Sequence, residues 1–117
     1  MVNAAIVVLA GTESHADLGY LVNALQAAKE FRDEGDEVQV IFDGAGTQWI
    51  AELQDPDHTA HALYEAVEEH VHVCEFCAGA FEVEDDVAEA DVETVAEDEG
   101  HPSGRSLVAD GYEVLTF

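Results

Sequence analysis

The stretch "NAAIVVLAG", residues 3–11, decides the fold class of this chain. It is a continuous apolar run that ends at a glycine, without the alternation of polar and apolar residues seen in half-exposed strands. Continuous runs of this kind are typical of strands that are covered on both faces, as in parallel sheets. We therefore predict that the chain opens with an inner strand of a parallel α/β sheet.

The residues that follow this strand predict a helix and a second strand. "LGYLVNALQAAKEFRDEG", residues 18–35, repeats apolar residues at helical spacing, and we expect Asp17 as its N-cap and Gly35 as its end. "EVQVIFDG", residues 37–44, is rich in β-branched and aromatic residues and predicts a strand. A strand, a helix and a strand form the unit from which parallel sheets are built.

The rest of the chain continues the alternation. Short helices are expected in residues 45–55, 59–70 (with Thr59 as N-cap), 75–83, 84–90 and 101–111, and strands in residues 70–74, 92–95 and 112–117. With 117 residues and 48% hydrophobic content, the chain can bury one core. The sequence thus predicts a single domain over residues 1–117, folded as a three-layer α/β sandwich.

The charge balance excludes some partners. The chain has three Lys and Arg residues and 27 Asp and Glu residues, which gives a net charge of −24. Nucleic acid and anionic membrane surfaces are bound by clustered cations, so we expect neither as a partner. The first apolar run breaks at Gly11 and is too short to span a bilayer. We expect a soluble cytoplasmic protein whose acidic surface suits concentrated salt.

The candidate site is "HVHVCEFCAG", residues 70–79, which contains the only two cysteines of the chain. Cys74 falls at the end of a predicted strand and Cys77 one turn into the helix that follows. Active sites of open parallel sheets gather at such ends, and helix-start amides favour a thiolate, so we expect a low pKa for Cys74. A second thiol at this spacing can trap the first as a disulfide or accept sulfur from it.

Two other interpretations of the cysteine pair stay open. A zinc site needs about four ligands, and His72 is the only third ligand in view, because His70 would lie roughly 13 Å back along the strand. We therefore expect no metal ligands, and a hydrogen-bonded buried ring is the favoured interpretation of His72. The pair can also be buried and inert, in a non-enzymatic oligomeric module that binds a small ligand.

The remaining loops predict no cofactor site. "GTESHADLG", residues 11–19, lies where a phosphate loop would be, but it has neither glycine pattern of such loops, and its Glu13 and Asp17 would repel a phosphate. Ser103 is expected to cap the last helix rather than to act in catalysis with His101. The roles of the histidines at 70, 72 and 101 stay open.

Several blocks together resemble the DsrE-like proteins, small relatives of the DsrE/DsrF/DsrH sulfur-relay proteins. They are the first apolar strand, "AAKEFRDEGDEVQVIFDGAGTQW" (27–49), "VCEFCAGAF" (73–81) and "HPSGRSLVADGYEVLTF" (101–117). The resemblance covers nearly the whole chain and implies one DsrE-like domain with a mainly parallel five-stranded sheet flanked by helices. It also implies homo-oligomers, as trimers or hexamers.

The resemblance further implies a function for the two cysteines. In the sulfur-relay members a cysteine at the end of the third strand carries sulfur as a persulfide, and Cys74 matches it by position. Cys77 resembles the second cysteine of many members outside the relay and would resolve or share the sulfur. A sulfur carrier or sulfurtransferase is therefore expected, with donor and acceptor proteins as partners and without a cofactor.

Overall fold

Five strands and six α-helices alternate along the chain in the computed structural model, which describes residues 1–117. The strands are β1 (Asn3–Val8), β2 (Glu37–Phe42), β3 (Val71–Cys74), β4 (Glu93–Val95) and β5 (Glu113–Thr116). The helices are α1 (His15–Asp33), α2 (Trp49–Leu53), α3 (His61–Val67), α4 (Glu75–Ala80), α5 (Glu84–Glu89) and α6 (Gly104–Ala109). Two short 3-10 helices, Gly44–Gln48 and Glu68–His70, complete the set.

The strands form one sheet in the order β4-β3-β2-β1-β5, and all four neighbouring pairs are parallel. The steps from β1 to β4 move in one direction, so right-handed crossovers place α1 to α5 on one face of the sheet. The return from β4 to β5 crosses the sheet the other way and places α6 on the opposite face. The predicted three-layer α/β sandwich with a five-stranded sheet is confirmed.

The main core lies between the sheet and the five helices of the larger layer. Alternate strand residues point into it, among them Ile6 and Val8 of β1 and Phe42 of β2, all with no exposed surface. The apolar stripe of α1 packs against them, with Leu21 and Leu25 also fully buried. Because α6 is short, the opposite face of the sheet carries a smaller apolar layer.

A close backbone contact joins the first two strands to the loop that follows β2. A Cβ atom added at Gly46 would stand 2.1 Å from the carbonyl oxygen of Val8, far inside any normal contact distance. Only glycine therefore lets the 3-10 helix after β2 pass so near the end of β1. This contact fixes where the chain runs directly after β2.

Helix starts differ in part from the predictions. The N-cap of α1 is Ser14, whose hydroxyl accepts the backbone N–H of Asp17 at 3.2 Å, so the prediction of Asp17 as the cap was wrong. The cap of α3 is Ala60, without a side-chain hydrogen bond, and not Thr59. The predicted cap of α6 is confirmed, since Ser103 Oγ accepts the N–H of Ser106 at 3.1 Å. None of the six helices is long and apolar enough to cross a bilayer.

Candidate functional site

Four side chains with metal-binding or nucleophilic atoms converge at the carboxyl edge of the sheet. Asp43 follows β2, Cys74 ends β3, Cys77 lies in the first turn of α4, and His101 stands three residues before α6. One atom from each side chain can be chosen so that all four lie within 4.8 Å of one another. The carboxyl ends of neighbouring parallel strands meet at this edge, which explains why β2 and β3 bring Asp43 and Cys74 together.

Cys74 is at the centre of this cluster and has no exposed surface. It is the N-cap of α4, and its sulfur accepts the backbone N–H of Cys77 at 3.4 Å. The same sulfur lies 3.4 Å from His101 Nδ1 and 3.7 Å from the carbonyl oxygen of Gly100. The thiol therefore has several polar neighbours, although solvent does not reach it.

Burial raises the pKa of the Cys74 thiol to about 12, because the thiolate would lose its hydration. The N–H of Cys77 favours the thiolate, but the Cys77 side chain and the carboxylate of Asp43 act against it. The expected low pKa of Cys74 was wrong. The helix-start amide is present as predicted, but a single hydrogen bond does not outweigh burial beside an anion.

Cys77 is the more accessible thiol of the pair, since it is only partly buried. Its S–H group donates a hydrogen bond to Asp43 Oδ1 at 3.4 Å. That oxygen also accepts the backbone N–H of Gly44 at 2.8 Å, and this holds the carboxylate in place at the start of the 3-10 helix. Asp43 thus connects the end of β2 to the second cysteine.

His101 reaches the site from a tight turn. Asp98 and His101 exchange two backbone hydrogen bonds, of 2.8 and 2.9 Å, and the two residues between them, Glu99 and Gly100, have positive φ angles of 51° and 90°. Two left-handed residues in succession are typical of the tightest hairpin turns. The turn presents the His101 ring to Cys74.

Phe76 holds this turn against α4. Its ring lies 4.6 Å from the ring of His101, centroid to centroid, and its backbone N–H donates to the Gly100 carbonyl at 2.9 Å. A Cβ atom at Gly100 would come within 3.2 Å of the Cβ of Phe76, so the turn packs closely here. These contacts fix His101 and cover the buried thiol.

The two histidines of the predicted motif lie outside the cluster. His72 points its Nε2 toward the Glu93 carboxylate at 3.7 Å, and its Nδ1 is buried without a partner, so its expected hydrogen-bonded ring is not found. The Nε2 of His70 lies 3.3 Å from a carboxylate oxygen of Glu69. The expectation that His72 is the third potential ligand beside the cysteines was wrong.

Sequence reasoning missed two members of the cluster, Asp43 and His101. A signal for Asp43 was present, because a polar residue at the end of a strand next to the cysteine strand lies at the same sheet edge. His101 had no such signal, since it is 27 residues from Cys74 and reaches it only through the turn. With both in place, the site has two thiols, an imidazole and a carboxylate, a set able to exchange sulfur, form a disulfide or ligate a metal.

Comparison with known proteins agrees with this fold. The model of the DsrE/DsrF-like family matches residues 4–117. The chain belongs to the DsrE/DsrF-like family. The resemblance predicted from the sequence is therefore confirmed over nearly the whole chain.

One curated protein and one solved structure are similar to this chain. The chain is 25% identical over 103 residues to the uncharacterized protein MJ0733 of Methanocaldococcus jannaschii, which covers 88% of this chain and 84% of that protein. The structure is similar to that of a conserved protein of unknown function, BT1422, from Bacteroides thetaiotaomicron. That likeness has a TM-score of 0.63 at 13% identity and covers 97% of this chain and 94% of the other, so it supports the fold alone.

Proposed function

We propose that this DsrE/DsrF-like protein is a sulfur carrier that holds sulfur as a persulfide on Cys74, with Cys77 as the second thiol. The observation that carries the proposal is the pairing of the only two thiols at one strand-to-helix junction, with an imidazole nitrogen 3.4 Å from the inner sulfur. Membership of a family related to sulfur relay supports it.

The difference in exposure between the two thiols suggests an order of events. Cys77 is the thiol that a donor can reach, so its thiolate attacks the outer sulfur of a donor persulfide, R–S–SH. The S–S bond of the donor breaks, the donor leaves as a thiol, and Cys77 becomes a persulfide. Nothing is oxidised or reduced overall, and the proton lost by Cys77 is taken up by the leaving donor.

A second transfer of the same kind stores the sulfur. The Cys74 thiolate attacks the outer sulfur of the Cys77 persulfide, which returns Cys77 to a thiol and leaves the persulfide on Cys74. His101 Nδ1 lies within hydrogen-bond distance of Cys74 and takes its proton in the neutral ring form. Such a base is needed here because burial raises the pKa of Cys74. Release to an acceptor thiol follows the same steps in reverse.

A second candidate function is a non-enzymatic oligomeric module that binds a small ligand and keeps its cysteines inert. The full burial of Cys74 and its raised pKa favour this alternative, because a protonated, covered thiol reacts slowly. The two functions differ in what they require of Cys74 in the native protein.

Sulfur loading tests the proposal directly. Reduced, metal-free protein is incubated with a low-molecular-weight persulfide, alkylated, and analysed by intact and peptide mass spectrometry. We expect one added sulfur on Cys74 in the native protein, slower loading of Cys74 in Cys77→Ser, and sulfur only on Cys77 in Cys74→Ser. No mass gain on Cys74, while a known relay protein gains sulfur under the same conditions, would rule the carrier function out.

A thiol reagent separates the two candidates at little cost. In the carrier, Cys77 reacts without denaturant and Cys74 reacts more slowly, after the cover over it opens. In the binding module, Cys74 does not react until the protein is unfolded, although the partly exposed Cys77 does. The variants Cys74→Ser and Cys77→Ser assign each phase of the reaction to one sulfur.

We further propose a cytoplasmic setting with concentrated salt and assembly into homo-oligomers, as a trimer or a hexamer. The acidic composition supports the first of these. Exposed apolar side chains on α6 and β5 support the second, with 66% of the Val108 surface and 39% each of Val114 and Leu115 in contact with solvent. Native mass spectrometry from a volatile salt tests the assembly, and a monomer at every protein concentration would contradict it.

A further inference from the structure

We propose that Asp43, Cys74, Cys77 and His101 form a tetrahedral binding site for a thiophilic divalent metal ion, for which zinc is the best match. This inference goes beyond sulfur transfer, because it assigns a second and separate state to the same two thiols. It also replaces the sequence-based expectation of no metal ligands, which rested on His72 as the only third ligand in view.

The spacing of the four ligand atoms fits such an ion closely. Zinc binds sulfur at about 2.3 Å and nitrogen or oxygen at about 2.0–2.2 Å, so neighbouring ligands of a tetrahedron stand roughly 3.3–3.8 Å apart. Cys74 Sγ lies 3.4 Å from His101 Nδ1, and Cys77 Sγ lies 3.4 Å from Asp43 Oδ1. All pairs lie within 4.8 Å, so side-chain adjustments of about 1 Å would close the sphere.

The chemistry of the four groups selects the kind of ion. Two thiolates and an imidazole are soft or borderline ligands that favour zinc over magnesium or calcium, which prefer oxygen. One carboxylate completes the four-coordinate set. Two thiolates and a carboxylate around a divalent ion leave a charge of about −1, less than the bare ligands would carry. The net charge of −24 for the whole chain favours the approach of cations.

Contacts outside the cluster hold each ligand in place. The N–H of Gly44 fixes Asp43, the ring of Phe76 packs on His101, and Cys74 is built into the start of α4. The four ligands come from three separate parts of the chain, so their meeting is a property of the folded protein. The partly exposed Cys77 lies where an ion can enter.

Metal binding and sulfur storage exclude each other at this site. An ion requires both sulfurs as thiolates and displaces their protons to solvent, whereas a stored persulfide occupies Cys74 with an extra sulfur. Because protons and the ion compete for the two sulfurs, the affinity for the ion rises with pH. A bound ion would therefore keep the thiols from sulfur donors.

Cobalt and zinc titrations test the site without any sulfur donor, so their outcome is independent of the carrier function. Reduced, metal-free protein is titrated with Co²⁺, whose thiolate charge-transfer and visible bands report ligand type and tetrahedral geometry, and zinc affinity follows by competition. We expect one ion per chain with both thiolates bound. The variants Cys77→Ser, His101→Gln and Asp43→Asn should each weaken zinc binding by more than about 100-fold, beyond the loss typical of an outer-shell partner.

Matched controls keep the result specific. His72→Gln and Glu75→Gln remove a histidine and a carboxylate that lie within residues 70–79 but outside the cluster, and both variants should bind zinc as the native protein does. Circular dichroism checks that each variant is folded. If Asp43→Asn does not fold, Asp43→Glu is used in its place. The proposal is overturned if the native protein binds no zinc, or if folded His101→Gln and Asp43→Asn bind it unchanged, which would leave the cysteine pair alone as ligand.

Discussion

We expect the buried thiol of Cys74 to make the protein lose stability in alkaline solution. Its pKa is about 12 in the folded protein, against an ordinary value of 9.0, which we assign to the unfolded chain. Below about pH 9 both states hold the proton, and the contribution of the thiol to stability is fully present. Between the two pKa values the unfolded chain loses its proton while the native state keeps it, so the free energy of unfolding falls.

The size of the loss follows from the two pKa values. Between the two pKa values, each rise of one pH unit lowers the free energy of unfolding by about 1.4 kcal/mol. Raising the pH from about 8 to about 11 crosses two such steps, so the cost is roughly 3 kcal/mol. That is a large share of the stability of a domain, which is about 5–15 kcal/mol.

The assay compares the native protein with Cys74→Ser by urea denaturation at several pH values, at constant high salt and with a reductant and a chelator. Serine keeps the shape and the hydrogen bonds of the cysteine but does not titrate in this range. Burial also raises the pKa of Tyr64, and its effect is common to both proteins and cancels in the difference. If the difference in stability between the native protein and Cys74→Ser stays constant from neutral to alkaline pH, the thiol of Cys74 is not held protonated by burial.

Two further predictions concern packing and charge. Gly46→Ala should cost more than about 2 kcal/mol in urea denaturation, because the new methyl meets the Val8 carbonyl at 2.1 Å. Gly19→Ala is its control and should gain about 0.5–1 kcal/mol, since Gly19 lies on the exposed face of helix α1 and nothing is within 4 Å of its Cβ. Raising KCl from about 0.1 M to about 1 M should increase the melting temperature by screening the 27 acidic side chains; a constant or falling value would contradict the predicted adaptation to salt.

The sheet could be predicted from the sequence because its signals are local. The apolar run of β1 and the helical spacing in α1 need no knowledge of distant residues, and each short helix and weak strand of residues 84–95 was placed within a few residues of its observed bounds. Helix caps were harder to predict. Ser14 and Asp17 both carry a cap oxygen, and the choice between them depended on how the loop leaves β1.

The candidate site was half visible from the sequence. Cys74 and Cys77 are neighbours in the chain, so their meeting is dictated by one strand and one helical turn. The burial of Cys74 stayed one of several open interpretations, because it depends on the turn at Gly100 and on Phe76, which is itself 57% exposed. Periodicity describes a residue within its own element, whereas this thiol is covered by a segment that follows it by 26 and 27 residues in the chain.

The turn that carries His101 covers Cys74, so a reagent reaches this thiol only after the turn opens. The Phe76 amide of α4 donates to the Gly100 carbonyl, so it loses its acceptor when the turn lifts away from α4. Hydrogen exchange at the Phe76 amide and alkylation of Cys74 should therefore report the same local opening, with one free energy. The free energy of this opening then slows every reaction of the inner sulfur with a reagent or partner by the same factor.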